Sequence, residues 1–453
     1  MDPSFQKQRD GMKEQQFKSL ASTEALEAAL VAHEGGDLAL AETLYGWLLE
    51  TDPDHAEAAH HLGMLMHQSG RRPAALDLIR RSTKLDGYRP GWHNDLGNML
   101  AADQQLGPAR EAFMASLELD PRSAVVWNNL GAVLQRQEQF DEAEYSYRQA
   151  IALDPDFIDA MSNLGYLLSI RGQAEESAEY LCRAFVAAAT DETPRDLLGI
   201  AYSTLGRLDD AREVYRQWLQ AEPAHPIAAH LHAACTGVNV PARASDAYIE
   251  MHFDGLAKDF DAKLIENLDY QAPQLIARML AQHVPQISFG LDAGCGTGLC
   301  GMHIAPYVER LTGIDLSSNM LALAKRKGVY DELVKSELTQ FMRERPNGFD
   351  LVVIADTLIY FGPLEQIFAA VSRALRPGGH LLFTVEESSN ADAPYCIKPN
   401  GRYGHGREYF NSLLQSLGFE VLAELSTVIR VELGRPVKGC VVTARLPAPR
   451  AAA

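Results

Sequence analysis

The chain has 453 residues, of which 47% are hydrophobic, and a formal net charge of −19. This length favours two or three domains, and the acidic balance argues against nucleic acid as a partner. A transmembrane helix needs about 18 consecutive apolar residues, and no run of that length occurs, so no membrane partner is expected. The six cysteines lack zinc-site spacing, so no metal is expected either. Reduced thiols and an N-terminus without an apolar signal region favour a cytoplasmic protein.

The first half of the chain contains a repeat of 34 residues. A Leu-Gly pair begins at Leu62, Leu96, Leu130, Leu164 and Leu198. A small residue recurs with the same step at Ala41, Ala75, Ala109, Ala143, Ser177 and Ala211. Small residues in both helices of a unit allow close antiparallel packing, and a proline ends the second helix because it supplies no backbone donor. The pattern resembles the tetratricopeptide repeat (TPR) family over six units, residues 22–225, which implies an all-α solenoid.

Two consecutive units carry an asparagine one residue before the Leu-Gly pair, at Asn129 and Asn163. An amide both donates and accepts hydrogen bonds, so it suits a peptide backbone of any sequence. The TPR superhelices of protein O-linked N-acetylglucosaminyltransferases place an asparagine ladder at this position. The resemblance therefore implies a peptide-binding groove for a protein partner. The alternative is that both asparagines are ordinary polar residues on a solvated surface.

Short apolar runs alternate with helical stretches from residue 287 onward. The predicted strands are 289–293, 310–315, 350–355, 380–386, 419–426 and 438–444. Alternating strands and helices indicate a mostly parallel sheet with helices on both faces. The last two runs lack a helix between them and predict an antiparallel hairpin at one edge. The expected fold class is multidomain, an all-α solenoid followed by a Rossmann-like α/β domain.

These patterns predict the following organisation. We expect a polar segment at 1–21, repeats at 22–225, a capping helix and linker at 226–247, lid helices at 248–286, the α/β domain at 287–446 and a flexible tail at 447–453. In enzymes that resemble the second half of the chain, the lid brings an aromatic residue such as Phe253 or Phe260 near the cofactor. The alternative is that both rings only pack the lid on the sheet.

A glycine-rich loop, LDAGCGTG, follows the first predicted strand and contains Asp292, Gly294, Gly296 and Gly298. Glycine allows a sharp turn and lets a ligand approach the backbone closely. Leu299 stands where a dinucleotide fingerprint has its third glycine, and no G-K-[ST] phosphate loop is present. Asp292 would repel a diphosphate but suits the cationic methionine end of S-adenosylmethionine. The loop resembles motif I of class I methyltransferases.

The segments that follow extend this resemblance. It implies that Asp315 accepts the ribose hydroxyls of the cofactor beside Leu316, and that Met320 packs on the adenine. It also implies that Glu337 contacts the adenine amine and that Asp356 lies at the mouth of the fourth strand as a further cofactor contact. For Asp315 the alternative is a carboxylate that only stabilises a helix N-terminus.

Candidates for the chemistry lie near the ends of the fourth and fifth strands. Tyr360 follows the fourth strand, and His405 lies in the loop GRYGHG with a solution pKa suited to a general base. Glu386, Arg402 and Tyr403 are predicted to contact the substrate, with Arg402 suited to an anionic group. The alternative is that the loop closes over the substrate and His405 only forms a hydrogen bond.

The sequence resembles the bacterial TPR-linked predicted methyltransferases. The resemblance implies a methyltransferase that uses S-adenosylmethionine on an oxygen or nitrogen of a protein or small-molecule acceptor, with the repeats docking a protein. The alternative is a TPR interaction or scaffold protein with a non-catalytic cofactor domain. The glycine spacing disfavours a nicotinamide-dependent oxidoreductase, and no glycosyltransferase domain accompanies the asparagines.

Overall fold

The structure, a computed structural model, describes residues 21–256, 270–390 and 392–448. It comprises two compact units that divide after Arg171. The first unit is helical, whereas the second joins further helices to a sheet. Within the described ranges, the helices are all too short or too polar to cross a membrane.

The first unit is a series of helices that each pack on the next one along the chain. Its described helices are α1 Ser22–Glu34, α2 Leu38–Thr51, α3 Ala56–Gln68, α4 Arg72–Leu85, α5 Pro90–Ala102, α6 Leu106–Leu119, α7 Ala124–Arg136, α8 Phe140–Leu153 and α9 Ile158–Ile170. Contacts that fall mainly between neighbouring helices are typical of helical repeats.

The glycine of the Leu-Gly pair is required by the aromatic residue of the following helix. A Cβ at Gly97 would lie 2.6 Å from the ring of Phe113, and one at Gly131 would lie 2.7 Å from the ring of Tyr147. Both rings are 1% exposed. The aromatic side chain therefore occupies the space that a larger residue in the first helix would need.

The second unit begins with further helices, of which those before residue 225 continue the repeat pattern. They are α10 Ala174–Ala187, α11 Arg195–Thr204, α12 Leu208–Ala221, α13 Pro226–Thr236, α14 Asp246–Leu256 and α15 Ala272–His283. Helix α13 begins with a proline at its first position and ends before Gly237, which has a φ of +68°. Both residues are usual at these helix termini. Residues 257–269 of the predicted lid, including Phe260, lie outside the described residues.

An α/β arrangement follows α15. Its elements are β1 Ile287–Ala293, α16 Gly301–Ile304, β2 Val308–Asp315, α17 Ser318–Lys327, β3 Glu332–Lys335, α18 Leu338–Arg343, β4 Phe349–Ile354, α19 Glu365–Ala374, β5 Leu375–Glu387, β6 Tyr395–Ile397, β7 Tyr403–His405, α20 Arg407–Ser416, β8 Glu420–Glu432 and β9 Arg435–Arg445. One-turn 3₁₀ helices cover Ala305–Tyr307 and Leu358–Tyr360.

The sheet has the strand order β3-β2-β1-β4-β5-β7-β6, with β9 also on β5 and β8 on β9. Strands β1 to β5 are parallel, whereas β8 and β9 form an antiparallel pair against β5. This confirms the predicted fold class, including the C-terminal hairpin. The short strand β3 and the hairpin β6–β7 are additional elements that were not predicted.

The β6–β7 hairpin lies at the carboxyl end of β4. Strand β5 pairs with β4 as far as Phe383, and its other edge pairs with β9 as far as Glu386. Since a strand has two edges, β7, which pairs Gly404 with Glu386, takes the edge that β4 leaves free. In open α/β sheets this end of the strands carries the ligand site.

Gly131→Ala is expected to lower the unfolding temperature of the chain, because the new methyl group would overlap the Tyr147 ring and overpacking costs about 1–3 kcal/mol. Gly46→Ala is the matched control, since Gly46 lies inside α2 and a Cβ there meets nothing within 4 Å. Alanine is favoured over glycine in a helix by about 0.5–1 kcal/mol, so this variant should be more stable. Thermal unfolding followed by circular dichroism tests both, and equal midpoints would contradict the packing argument.

Candidate active site

The loop after β1 is built around three glycines with positive φ. Gly294, Gly296 and Gly298 have φ values of +80°, +52° and +87°, which glycine adopts without strain. The amides of Gly294 and Cys295 donate to the carbonyl oxygen of Ile314 at 2.8 and 2.9 Å, which fixes the loop to β2. A Cβ at Gly296 would meet nothing within 4 Å, so the backbone there is open to a ligand.

Asp315 ends β2 and binds the glycine loop. Its Oδ2 accepts the amide of Gly296 at 2.9 Å, and its Oδ1 accepts the amide of Ser317 at 2.8 Å. Burial raises the pKa of Asp315, and these amide hydrogen bonds oppose the rise. Leu316 and Met320 follow and line the same cavity as Asp315. The turn from β2 to α17 thus presents one carboxylate and two apolar side chains.

Only one of the two carboxylate oxygens of Glu337 accepts a hydrogen bond from the described residues. Its Oε2 caps α18 by accepting the amide of Gln340 at 2.8 Å. Its Oε1 is buried and has no hydrogen-bond partner among the described residues, and the side chain lines the cavity. A buried acceptor without a donor is costly unless a ligand supplies one. The amino group of an adenine would supply it.

Asp292 is 1% exposed and accepts a hydrogen bond of 2.7 Å from the hydroxyl of Tyr330. Burial raises the pKa of Asp292 to about 7, although this hydrogen bond lowers it. The Tyr330 side chain lies against Gly298, Gly301 and Gly313: a Cβ would come within 3.0 Å of it at Gly298 and within 2.8 Å at Gly313. Gly298 is not part of the described cavity lining, so its local role is to admit this ring.

These groups meet in one cavity of about 620 Å³. Asp292, Gly294, Gly296, Asp315, Leu316, Met320 and Glu337 all line it. The lining also includes Ile249, His252, Phe253, Tyr270, Asp356, Tyr360, Phe361, Arg402 and Arg430. A mostly apolar cavity with a few convergent polar groups is the usual form of a small-molecule site.

Arg430 of β8 is 1% exposed and pairs with three carboxylates. Its Nη1 lies 2.7 Å from Oδ1 of Asp356, its Nε lies 2.6 Å from Oε1 of Glu432, and its Nη2 contacts Glu386. A buried cation needs such partners because its desolvation costs several kcal/mol. Asp356 follows β4 with a φ of +51°, and Arg430 fixes its carboxylate where it lines the cavity.

Two further cations complete this network. Nζ of Lys398 lies 2.7 Å from Oε2 of Glu386, and Arg402 pairs with Glu432. Burial alone would raise the pKa of Glu386, but Arg430 and Lys398 hold it below its usual value. Three cations therefore balance three carboxylates. Glu386 was predicted to contact the substrate, but it is buried in this network and lies outside the described lining.

The structure argues against the predicted roles of His405 and Tyr403. His405 is 2% exposed, and its Nε2 donates to the carbonyl oxygens of Phe361 and Gly362 at 2.8 and 3.0 Å. Burial lowers its pKa to about 4. Tyr403 is fully buried and donates its hydroxyl to the carbonyl oxygen of Pro241. Neither belongs to the described lining, so both support the loop from within and do not face a substrate.

The predicted residues Tyr360 and Arg402 do line the cavity, and the structure adds others that the sequence did not indicate. His252 of α14 lines the cavity beside Phe253, and its ring stacks on Tyr248 with 5.5 Å between centroids. Burial lowers the pKa of His252 to about 4, so the imidazole is neutral at pH 7. The sequence signal for His252 was its position beside Phe253 in the predicted lid segment.

The two asparagines of the first unit belong to a chain of amides. Nδ2 of Asn129 donates to Oδ1 of Asn94 and to Oδ1 of Asn98, both at 3.1 Å. Nδ2 of Asn163 donates to Oδ1 of Asn128 at 3.0 Å. The amide hydrogens thus bind other asparagines, while Oδ1 of Asn129 and Asn163 accepts no hydrogen bond from the described residues.

Comparisons with known families agree with both units. Residues 291–383 match the model of a methyltransferase domain. Residues 26–90 match the tetratricopeptide repeat, and residues 119–218 match the middle TPR-like domain of cilia and flagella-associated protein 70. The methyltransferase match spans the glycine loop, Asp315, Glu337 and Asp356.

Individual relatives match about a third of the chain. Nodulation protein S of Rhizobium tropici is 32% identical over 155 residues, which are 32% of this chain and 60% of that protein. A probable S-adenosylmethionine-dependent methyltransferase of Saccharomyces cerevisiae is 28% identical over 177 residues, 37% of this chain and 60% of that protein. The chain thus spans less than two thirds of the length of these relatives.

A solved structure of N-methyltransferase NodS from Bradyrhizobium japonicum, in complex with S-adenosyl-L-homocysteine, was also found. It is 19% identical, with a TM-score of 0.37, and the match covers 44% of this chain and 98% of that one. Within the second unit, residues 291–383 are thus similar to a methyltransferase domain, a type of domain that uses S-adenosylmethionine as cofactor.

Asp292 predicts a pH dependence of stability. Its pKa rises from 3.8 to about 7 in the folded state. The folded protein therefore holds a proton that the unfolded chain has released, and stability falls as the pH rises from about 4 to about 7. The variant Asp292→Asn keeps an oxygen that accepts the hydrogen bond of Tyr330 but carries no charge. It should therefore not lose stability over this pH range.

We expect the ligand-free variant to melt above the wild type by a gap that widens up to about pH 7 and is constant above it. Asp209→Asn is the control, since Asp209 lies on α12 with a side chain that is 94% exposed. A gap for Asp292→Asn that does not change with pH would show that the carboxyl is ionised throughout.

Proposed function

Because residues 291–383 form a methyltransferase domain behind tetratricopeptide repeats, we propose that this chain transfers a methyl group from S-adenosylmethionine to an acceptor. The acceptor atom is an oxygen or nitrogen of a protein or a small molecule. The observation that carries the proposal is that Gly296, Asp315 and Glu337 converge on one cavity. S-Adenosylmethionine supplies an electrophilic methyl group on its sulfonium.

The residues of the cavity fit this cofactor. Asp315 keeps lone pairs for the ribose hydroxyls after it has accepted the amides of Gly296 and Ser317. Oε1 of Glu337 accepts the adenine amine, and Leu316 and Met320 pack on the ring. Asp292 takes the cationic methionine end. These roles follow from the lining and from the unused acceptor of Glu337.

The rest of the lining orients the acceptor and excludes water. Alignment of nucleophile, methyl and leaving sulfur supplies much of the rate of a displacement. Phe253, Tyr270 and Tyr360 give this part of the cavity its apolar walls. Burial raises the pKa of Tyr360, so its hydroxyl stays protonated and donates a hydrogen bond to the acceptor.

A hydroxyl acceptor must lose a proton during transfer, and a lining residue accepts it. We propose His252 for this role in place of His405. His252 lines the cavity, and its ring is neutral at pH 7 because burial lowers its pKa to about 4. Asp356 also lines the cavity and is the second candidate to take up this proton. Its Oδ1, however, already lies 2.7 Å from Nη1 of Arg430.

The repeats dock a protein partner in this proposal. The Oδ1 atoms of Asn129 and Asn163 remain available to backbone amides of a bound peptide, since their Nδ2 atoms bind Asn94, Asn98 and Asn128. The ladder is thereby held in position before a peptide arrives, which reduces the entropy lost on binding.

Calorimetric titration with S-adenosylhomocysteine tests the cofactor site. Asp315→Ala is expected to weaken binding at least about tenfold, because each hydrogen bond to a charged group contributes roughly 1.5–3 kcal/mol. Glu337→Gln should weaken it less, since only one oxygen faces the cavity. Asp209→Ala, at an exposed position on α12, is the matched control. Equal affinity of wild type and Asp315→Ala would overturn the site.

Transfer is tested separately with methyl-labelled S-adenosylmethionine and a cell extract divided into protein and small-molecule fractions. Label in either fraction that depends on intact Asp315 supports the enzyme. Saturable cofactor binding without any transfer would favour the alternative function, a repeat scaffold with a non-catalytic cofactor domain.

A further inference from the structure

Helix α11, which belongs to the last 34-residue repeat, contributes to the cavity wall. Leu197 on α11 is 50% exposed and lines the cavity. Leu433, in the turn between β8 and β9, is 47% exposed and lines the same cavity. Side chains that line a cavity and are also half exposed lie at its mouth. The mouth is therefore bordered by two leucines, one of which comes from the repeats.

The helices of the second unit hold the segments that form this mouth. Nε2 of His230 on α13 donates to the carbonyl oxygen of Gly401 at 2.7 Å, directly before the lining residue Arg402. The β8–β9 turn lies against α10, where the backbone of Glu175 leaves no room for a Cβ at Gly434. The turn that carries Leu433 thus packs on α10, the helix before the one that carries Leu197.

We propose that Leu197 and Leu433 select the acceptor, and that the acceptor is a cationic polypeptide segment with an apolar side chain beside the methylated residue. This inference rests on the proposed methyl transfer and names its substrate class. An apolar side chain between the two leucines removes their exposed surface from water. It anchors the segment while the neighbouring residue enters the cavity.

The residue type at position 197 supports a polypeptide. By the 34-residue step, Leu197 holds on its helix the place of Asn163 and Asn129 on theirs. That place is polar in the preceding repeats, where it is His61, Asp95, Asn129 and Asn163. It becomes apolar in the repeat that borders the cavity, which is the change expected where a backbone-binding surface gives way to a side-chain pocket.

The charge beside the mouth supports a cationic segment. Residues 174–204, which form α10, α11 and their connection, contain six acidic residues and two arginines. The acids are Glu175, Glu176, Glu179, Asp191, Glu192 and Asp196, and the arginines are Arg183 and Arg195. Of these acids, Glu175 pairs with Arg435 of β9 at 3.0 Å. An acidic surface attracts cationic segments and disfavours acidic ones, mainly through the rate of association.

The test compares methyl transfer by the full chain to short synthetic peptides that vary in charge and apolar content. Leu197→Asn installs the residue found at this place in two other repeats. Leu433→Asn suits the φ of +48° at that turn, because asparagine enters this region more readily than leucine. Val238→Asn is the control, since Val238 is 60% exposed and outside the described lining.

We expect the wild type to label cationic peptides that contain an apolar residue. Each leucine variant should lose roughly tenfold in kcat/KM, the effect of removing one buried leucine contact. Affinity for S-adenosylhomocysteine should stay unchanged in both variants, and Val238→Asn should behave as the wild type.

Unchanged transfer by both leucine variants, or preference for acidic peptides, would overturn the inference. So would label that enters only the small-molecule fraction of an extract, in which case the proposed methyl transfer still stands. A wild type that neither binds the cofactor nor transfers label fails at the proposed function itself, and this inference fails with it.

Discussion

The buried guanidinium of Arg430 is the constraint on which the part of the cavity lined by Asp356 and Arg402 depends. It joins Asp356 after β4, Glu386 in β5 and Glu432 in β8, so three chain segments meet at one charge. A cation that is 1% exposed cannot lose these partners without a large desolvation penalty. Through Glu386 and Glu432 the same network holds Lys398 and Arg402, and with them the loop that leads into β7.

The cofactor side of the cavity has the opposite electrostatic character. Asp292, Asp315 and Glu337 carry hydrogen bonds but form no ion pair with the described residues. Burial raises the pKa of Asp292 and of Asp315, because the surrounding protein stabilises their negative charge less well than water does. A ligand with a cationic end relieves this cost, whereas a diphosphate would increase it. This electrostatic character supports the proposed sulfonium and ammonium cofactor over a dinucleotide.

Local patterns in the sequence were sufficient wherever one physical requirement acts alone. Gly97 and Gly131 follow from the need to admit Phe113 and Tyr147, and this need repeats every 34 residues. The parallel sheet follows from alternating strands and helices, and the fold class was predicted correctly. These features depend on neighbours in sequence or on one repeated contact.

Tertiary burial decided the features that the sequence did not predict. His405 was assigned a base role from its solution pKa, but the carbonyls of Phe361 and Gly362 surround its Nε2. Arg430 lies in an otherwise ordinary strand, and nothing local indicates that three carboxylates from distant segments meet it. Leu197 lines the cavity only because the last repeat packs on the α/β domain. Such roles depend on contacts between residues far apart in the chain.

The ring of Tyr330 has a consequence for how this domain can vary. A Cβ at Gly298, Gly301 or Gly313 would lie 3.0 Å or less from the side chain of Tyr330. Their contributions to stability are therefore not additive, because a methyl group at each of the three positions meets the same Tyr330 side chain. A smaller residue at 330 would in turn remove the hydroxyl bound to Asp292. The three glycines, the tyrosine and the aspartate thus form one epistatic unit, which changes as a whole or stays as it is.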